Sequence, residues 1–232
     1  MDTSVLRLER VEAAYGLSRV LHGVTLEARE GEVVSLLGRN GAGKSTTLKA
    51  ILGLVDVTAG SISLDGRDIS ATPTHEISML GIGWVPEDRR IFSDLTVDEN
   101  LLVGAKGEGW TTSRVYEHFP KLAQLARRRG GSLSGGEQQM LTVARTLMGN
   151  PRVLLLDEPS EGLAPVIVQA LGQQIAALRH EGLTIVLSEQ NLKFAARLAD
   201  RAYIIEKGEI RWEGAMGRLL EDEAARRAYL TV

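Results

Sequence analysis

Cysteine is absent from the 232-residue sequence, so disulfides, thiolate metal sites and cysteine nucleophiles are excluded. Long apolar runs are absent too: the longest extend over a few residues, whereas a membrane-spanning helix needs about 20. The first residues alternate apolar with polar side chains and contain no secretory apolar segment. We therefore expect a protein of a reducing compartment, in which any association with a membrane would be through a partner.

Neither sign of charge dominates. Lysine and arginine number 27 against 30 aspartates and glutamates, and the formal net charge of −3 at pH 7 gives no global reason to expect a nucleic acid partner. The local run Arg127-Arg128-Arg129 is interpreted as a solvated face. Apolar residues make up 44% of the chain, enough for a sizeable core and one compact domain.

A glycine-rich segment is the most informative feature that is present. It follows an apolar strand, Val33 to Leu37, and precedes a predicted helix, Lys44 to Leu52. Its glycines permit a sharp bend in which backbone N–H groups converge on phosphate oxygens at a helix N-terminus. A turn that fits the pattern by chance is the alternative, and the strand and helix around it argue against that. The expected phosphate-binding residues are Gly38, Arg39, Asn40, Gly41, Ala42, Gly43, Lys44, Ser45 and Thr46.

Two residues of this segment have specific expected roles. Lys44 would reach the β- and γ-phosphates, and the Ser45 hydroxyl would be a ligand of Mg²⁺. The segment therefore predicts a protein driven by ATP or GTP.

Two adjacent carboxylates, Asp157 and Glu158, follow the apolar run Val153 to Leu156. Open α/β sheets bind their ligands at the carboxyl ends of such strands. In a nucleotide site Asp157 would hold Mg²⁺ through water, and Glu158 would be the general base that polarises the attacking water. Taken alone, the pair could instead cap the next helix or solvate a loop.

The arrangement of apolar segments predicts an α/β core with a helical insertion. The runs Val153 to Leu156 and Leu183 to Leu187 are typical of parallel strands covered on both faces. Between about Thr96 and Gly149 the signals are helical: Thr96 to Glu99 form a capping box that opens one helix, and another helix has an apolar stripe of Met140, Val143, Ala144 and Leu147. A hairpin at Glu206 to Glu209 precedes two short charged helices. Further short strands are predicted at Val5 to Val11, Val24 to Leu26, Ser61 to Leu64 and Ile82 to Val85.

The segment Leu133 to Gln139 has the sequence Leu-Ser-Gly-Gly-Glu-Gln-Gln and is more specific for one protein family than the phosphate loop is. Locally, Ser134 and Glu137 form a capping box at a helix start. The segment also resembles the signature sequence of ABC ATPases. Together with the phosphate loop and the strand that ends at Glu158, the resemblance covers nearly the whole chain in the expected order.

The resemblance implies a P-loop NTPase (RecA-like) α/β core with an N-terminal antiparallel β subdomain and an inserted α-helical signature subdomain. It divides a single 1–232 ATPase domain into a core of residues 1–86 and 151–232 and a helical subdomain of residues 87–150. It also implies hydrolysis of ATP with Mg²⁺ as cofactor.

The resemblance assigns two further nucleotide contacts. Ser134, Gly135 and Gly136 would touch the γ-phosphate of ATP bound to the opposite subunit of a head-to-tail dimer, so that two ATP molecules hold the dimer together. Tyr15 falls where the family places an aromatic ring stacked on adenine, although packing in the core is the simpler role for such a tyrosine.

Three positions depart from the usual family pattern. Glu87 stands where a metal-sensing glutamine is usual, and we expect its carboxylate to meet the metal or its water. Gln190 stands where the family has a switch histidine; its amide can donate one hydrogen bond to a γ-phosphate but cannot change charge with pH. Ala164 stands where aspartate is common.

Together these departures resemble the second ATPase subunit of importers for branched-chain and other hydrophobic amino acids, whose relatives import urea and short amides. The implied location is the cytoplasmic face of a bacterial inner membrane. The implied partners are a second ATPase subunit or a second copy of this chain, two transmembrane permease subunits and, indirectly, a solute-binding protein.

Other interpretations stay open. A soluble ABC ATPase that serves translation or DNA repair is one, and a module that binds ATP while its partner hydrolyses it is another. Ile91, Phe92 and Leu95 either fill local core or line a groove for a short helix of the membrane subunit.

Overall fold

This computed structural model describes residues 4–107 and 109–230. Residues 1–3, the start of the N-terminal stretch discussed above, lie outside the described part. The described strands are Ser4–Tyr15 (β1), Ser18–Arg29 (β2), Val33–Leu37 (β3), Asp56–Leu64 (β4), Arg67–Asp68 (β5), Ile82–Val85 (β6), Val153–Asp157 (β7), Thr184–Glu189 (β8), Arg201–Glu206 (β9) and Glu209–Ala215 (β10). The described helices are Lys44–Ile51 (α1), Thr74–Met79 (α2), Val97–Gly104 (α3), Thr112–His118 (α4), Pro120–Gln124 (α5), Gly135–Leu147 (α6), Pro165–His180 (α7), Leu192–Ala195 (α8), Met216–Glu221 (α9) and Glu223–Tyr229 (α10).

Within the described residues, the central sheet has six strands in the order β10-β9-β3-β8-β7-β6, and all neighbours are parallel except β10 and β9. Every residue of β3, β7 and β8 is buried, as their continuous apolar runs predict. Alternate residues of β3 enter two separate cores: Val33 and Leu37 lie in one, Val34 and Leu36 in the other. The sheet is therefore covered on both faces.

The parallel strands end together at one edge of this sheet. Leu37, the last residue of β3, is paired with Glu189 of β8, and Asp157 of β7 is paired with Ser188. The loops that follow these strands therefore meet at one edge, the usual ligand edge of an α/β sheet.

The second sheet is antiparallel, in the order β2-β1-β4-β5. The predicted strands are present, but β1 and β2 are longer than their apolar segments. Their pairing runs from Ser4 opposite Arg29 to Tyr15 opposite Ser18, with several register shifts on the way. Antiparallel hydrogen bonding between neighbouring segments extends a strand through polar residues that give no apolar signal.

Between β6 and β7 the described residues form helices and a 3-10 turn at Gly130–Ser132, as predicted. Both expected capping boxes are present: Glu99 accepts from the Thr96 N–H at 2.8 Å, and Glu137 accepts from the Ser134 N–H at 2.9 Å. The predicted apolar stripe of α6 is buried. The treatment of residues 87–150 as a separate subdomain stays a prediction.

The predicted hairpin between β9 and β10 is present and is attached to the phosphate loop. Gly208 at its turn donates its N–H to the Ala42 carbonyl at 2.8 Å and accepts from the His22 N–H at 2.8 Å. A Cβ at Gly208 would lie 1.9 Å from the Val20 carbonyl oxygen, so this turn requires glycine. The two short helices predicted after it are α9 and α10.

Candidate nucleotide-binding site

The phosphate loop joins β3 to α1, as expected. Gly41 and Gly43 have positive φ angles of 76° and 116°, which glycine adopts without strain. The loop borders a cavity of about 190 Å³ that is lined by Val20, Gly41, Gly43, Lys44, Ser45, Thr46 and Glu158. The cavity lies at the N-terminus of α1, where backbone N–H groups and the helix dipole favour an anion.

Lys44 lies at the bottom of this cavity and is 3% exposed. Its Nζ donates to the carbonyl oxygens of Gly38 at 2.8 Å and Arg39 at 3.0 Å. Nζ also lies 3.1 Å from Oε1 of Glu158. The ammonium group is therefore bound by two carbonyl oxygens of the phosphate loop and by the carboxylate that is proposed as the general base.

Three predicted metal residues, Ser45, Glu87 and Asp157, border a second cavity of about 230 Å³. The Ser45 hydroxyl donates to Oδ1 of Asp157 at 2.9 Å, and the Ser188 hydroxyl donates to the same oxygen at 2.7 Å. Burial raises the pKa of Asp157, and these two hydroxyls act in the opposite direction.

These oxygens fit Mg²⁺ as it is usually bound beside a nucleotide. No group of three or more His, Asp or Glu in the described residues could hold a metal ion by itself. Mg²⁺ commonly uses only one or two carboxylates, completed by substrate phosphates and water. The convergence of the Ser45 hydroxyl with Asp157 next to the phosphate cavity provides that donor set.

Glu158 is held in a left-handed conformation, with φ 45°. Its N–H lies 3.1 Å from the Ser188 carbonyl oxygen and 3.2 Å from the Ser188 Oγ. The strand β8 therefore fixes the backbone of the proposed base while its side chain reaches Lys44. Such a conformation is unusual for a residue with a Cβ and concentrates at functional sites.

Gln190 follows β8 in an exposed turn and lines neither of the two cavities. The segment before it is close to the site, because the Gly38 N–H donates to the Glu189 carbonyl at 3.3 Å. Gln190 therefore lies near the phosphate loop, at the edge of the sheet where the parallel strands end.

The signature residues Ser134, Gly135 and Gly136 begin α6 and also line neither cavity. Ser134 caps the helix, as its local pattern predicts. A Cβ at Gly136 would lie 2.5 Å from Cγ2 of Ile167, and a Cβ at Gly135 would lie 2.8 Å from the Arg89 guanidinium. Gly136 therefore has a packing reason within this chain, in addition to the expected contact with ATP of an opposite subunit, whereas the flexible Arg89 side chain could move away from a Cβ at Gly135.

Tyr15 ends β1 beside the turn to β2 and is 46% exposed. Its ring is therefore accessible, and it does not fill the core. Val20 on the paired strand is the residue of this hairpin that lines the phosphate cavity. Arg39 and Asn40 are exposed on the loop, whereas Ala42 is buried.

The sequence analysis missed Ser188 and Glu189. Both are buried polar residues at the end of β8 and bond to the loop that follows β7. The available signal was two polar residues that end an otherwise apolar run, on a strand parallel to the one that bears Asp157.

The phosphate loop, the buried carboxylates and the two-sheet fold define an ATP-binding cassette, and the chain belongs to the ABC transporter family. The family model for ABC transporters matches residues 21–161. It is thus an ATPase domain of the kind that powers transport, and the predicted family, α/β fold class and activity are confirmed.

Individual relatives resemble the chain over nearly its full length. The high-affinity branched-chain amino acid transport ATP-binding protein BraG of Pseudomonas aeruginosa is 44% identical, with 97% of this chain and 99% of BraG covered. The lipopolysaccharide export system ATP-binding protein LptB of Escherichia coli strain K12 is 35% identical, with 98% and 97% covered. The solved ADP conformation of MJ1267, an ATP-binding cassette of an ABC transporter, has a TM-score of 0.84 and 27% identity, with 97% of each chain covered.

Among the described residues, no helix is both long and apolar enough to cross a membrane.

Proposed function

We propose that this chain is the ATP-hydrolysing subunit of an importer for branched-chain or other hydrophobic amino acids. The 44% identity to BraG over almost the whole chain carries the proposal. The same three departures, Glu87, Ala164 and Gln190, support it because they resemble the second ATPase subunit of such importers. Importers of urea or short amides remain the nearest alternative substrate class.

In the proposed site the phosphates of ATP occupy the cavity beside Lys44. Its ammonium group would turn from Glu158 and the loop carbonyls to the β- and γ-phosphates. Asn40, Thr46 and the loop N–H groups would complete the cradle, and the exposed ring of Tyr15 would stack on adenine.

Hydrolysis would proceed by attack of water on the γ-phosphorus, with ADP as the leaving group. Glu158 would accept the proton of that water. Ser45 and Asp157 would hold Mg²⁺, with Glu87 beside it. The ion would neutralise phosphate charge. Gln190 would donate a hydrogen bond to a γ-phosphate oxygen.

Transport would follow from closure of a dimer. Ser134, Gly135 and Gly136 of one subunit would meet the γ-phosphate in the other, and hydrolysis would release that contact. The partner would be a second ATPase subunit or a second copy of this chain, and two permease subunits would convert closure into alternating access. The assembly would lie at the cytoplasmic face of a bacterial inner membrane and receive solute from a solute-binding protein.

A groove between α2, β6 and α3 would receive the membrane subunits. It has a volume of about 450 Å³, and its apolar lining includes three exposed side chains, Met79, Phe92 and Val103. Apolar surface of this kind marks interaction sites. We define the docking groove by its lining residues Met79, Ile82, Trp84, Phe92, Val103, Lys106 and Arg145.

The relatives also favour a second candidate, the ATPase of a lipopolysaccharide exporter, since LptB is 35% identical over nearly the full length. Deleting the gene in its own organism separates the two. We expect uptake of radiolabelled leucine to fall and to be restored by the wild-type chain but not by Glu158→Gln. Normal leucine uptake with lipopolysaccharide lost from the cell surface would support the second candidate instead.

A further inference from the structure

A buried carboxylate that the proposed mechanism does not use, Glu189, connects two loops of the site. Its Oε1 accepts the backbone N–H of Ser160 at 3.1 Å, and its Oε2 accepts the backbone N–H of Asn191 at 3.1 Å. Ser160 lies two residues after Glu158, and Asn191 lies one residue after Gln190. One side chain therefore holds the loop of the proposed base and the turn of the proposed γ-phosphate ligand.

Burial of the Glu189 side chain carries a desolvation cost for its carboxylate. The residue is 2% exposed, and no cation in the described part of the chain forms a salt bridge with it within 4.0 Å. Burial raises the pKa of Glu189 and outweighs the hydrogen bonds from the Ser160 hydroxyl and from the Asn191 and Ser160 N–H groups, which act to lower it. An unpaired buried charge is tolerated only when hydrogen bonds compensate for lost water.

A carboxyl group satisfies both loops. It accepts at both oxygens, whereas an amide of the same shape has one acceptor oxygen and one NH₂ donor. Glutamine at this position would direct its NH₂ group at one of the two N–H donors, and one loop would lose its attachment. The two bonds therefore require two acceptor oxygens and not merely the shape of the side chain.

The backbone of the same segment joins two more parts of the site. The Glu189 carbonyl accepts from Gly38 in the phosphate loop, and the Ser188 carbonyl accepts from the Glu158 N–H. Both contacts fix the end of β8, where Glu189 lies. The backbone of Glu189 is thus bonded to the phosphate loop, while its side chain is bonded to the loop after Glu158 and to the turn that contains Gln190.

We propose that Glu189 is a positioning residue for ATP hydrolysis, which sets the separation between the general base Glu158 and the γ-phosphate ligand Gln190. This inference rests on the roles proposed for those two residues. It places Glu189 outside contact with nucleotide, so its loss should change the chemical step and not the binding of ATP.

The test compares Glu189→Gln with wild type in the full-length chain supplied with Mg²⁺ and ATP. We expect kcat to fall at least about tenfold, because a hydrogen bond to a buried charged group is lost, while KM and the Kd for ATP stay within about twofold. Glu189→Asp, which keeps two acceptor oxygens, should recover part of kcat. An unchanged kcat in Glu189→Gln would overturn the inference. A fall in kcat that is matched by an equal loss of ATP affinity would overturn it as well.

A double-mutant cycle with Gln190→Ala separates positioning from general stability. If Glu189 acts through the Gln190 turn, Glu189→Gln should lower kcat much less in the Gln190→Ala background than in wild type. Fully additive losses would overturn the inference. Should Glu189→Gln prove unstable, Glu189→Asp with and without Gln190→Ala provides the same cycle.

Failure of this inference is distinguishable from failure of the proposed function. If Glu158→Gln still hydrolyses ATP at the wild-type rate, the assigned base is wrong and the inference falls with it. If Glu158→Gln is inactive while Glu189→Gln turns over normally, the site assignment stands and only the role of Glu189 is refuted.

Discussion

Lys44 and Glu158 form a buried ion pair, with Nζ 3.1 Å from Oε1. The two residues come from loops after different strands, β3 and β7, and meet because both strands end at one edge of the parallel sheet. Any phosphate that enters the cavity competes with Glu158 for the same ammonium group. In the proposed mechanism, binding of ATP and release of the general base Glu158 are therefore coupled through this one contact.

Glu158→Gln should remove most of the ATPase activity, by about 10²- to 10⁴-fold for loss of a general base. ATP should bind at least as tightly as to wild type, because a negative charge next to the phosphates is removed. Single-turnover hydrolysis and calorimetric titration of ATP measure both effects. Glu221→Gln, a change at an exposed residue on α9, is the control. Wild-type turnover in Glu158→Gln would refute the assigned base.

Lys44→Ala should weaken ATP binding by about tenfold to a hundredfold, the loss expected for charged hydrogen bonds to phosphate. Calorimetric titration with ATP measures the change, and Lys121→Ala on α5, at an exposed position, is the matched control. Equal affinity in Lys44→Ala and wild type would show that the cavity beside this residue does not hold the phosphates.

Gly136→Ala should lower the free energy of unfolding by about 1–3 kcal/mol, since the new Cβ would lie 2.5 Å from Ile167 and overpack the contact between α6 and α7. Urea denaturation measures the loss. Ile167→Ala in the same chain should relieve part of it. Gly217→Ala on α9 is the control: nothing lies within 4 Å of its Cβ, and it should gain about 0.5–1 kcal/mol.

Glu161→Gln should change stability in a pH-dependent way. A hydrogen bond with Glu158, partial burial and nearby carboxylates raise the pKa of Glu161 from 4.5 to about 7. The protonated form is thus favoured in the folded chain, and its contribution to stability is lost as pH rises from about 4.5 through 7. Glutamine stays neutral, so the melting temperature of the variant relative to wild type should be higher at pH 8 than at pH 5. An equal difference at both pH values in nucleotide-free protein would contradict this.

Val103→Asp should prevent co-purification of the permease subunits without unfolding the chain. Val103 is 57% exposed and lines the docking groove, so the charge disturbs the groove and not the core. Leu102→Asp on the same helix is the matched control, because Leu102 is 62% exposed but does not line the groove. Equal recovery of permease with both variants would exclude the groove as the docking surface.

Much of the fold could be predicted because its signals are local. The bounds of β3 and β6 were predicted to the residue from their apolar runs, and Thr96 and Ser134 were recognised as caps from the residues three positions on. The ends of β1 and β2 could not be predicted, because pairing between the two strands, and not their own residue pattern, determines them.

The sequence by itself determined the phosphate loop, the carboxylates after β7 and the family, since each depends on residue types at short fixed spacings. Only the tertiary structure decided that Ser45 bonds to Asp157, that Lys44 meets Glu158 and that Glu189 joins two loops. Ser45 and Asp157 are 112 positions apart in the chain, Lys44 and Glu158 are 114 apart, and Glu189 and Ser160 are 29 apart. These contacts exist because parallel strands bring their carboxyl ends to one edge, a relation that no local pattern encodes.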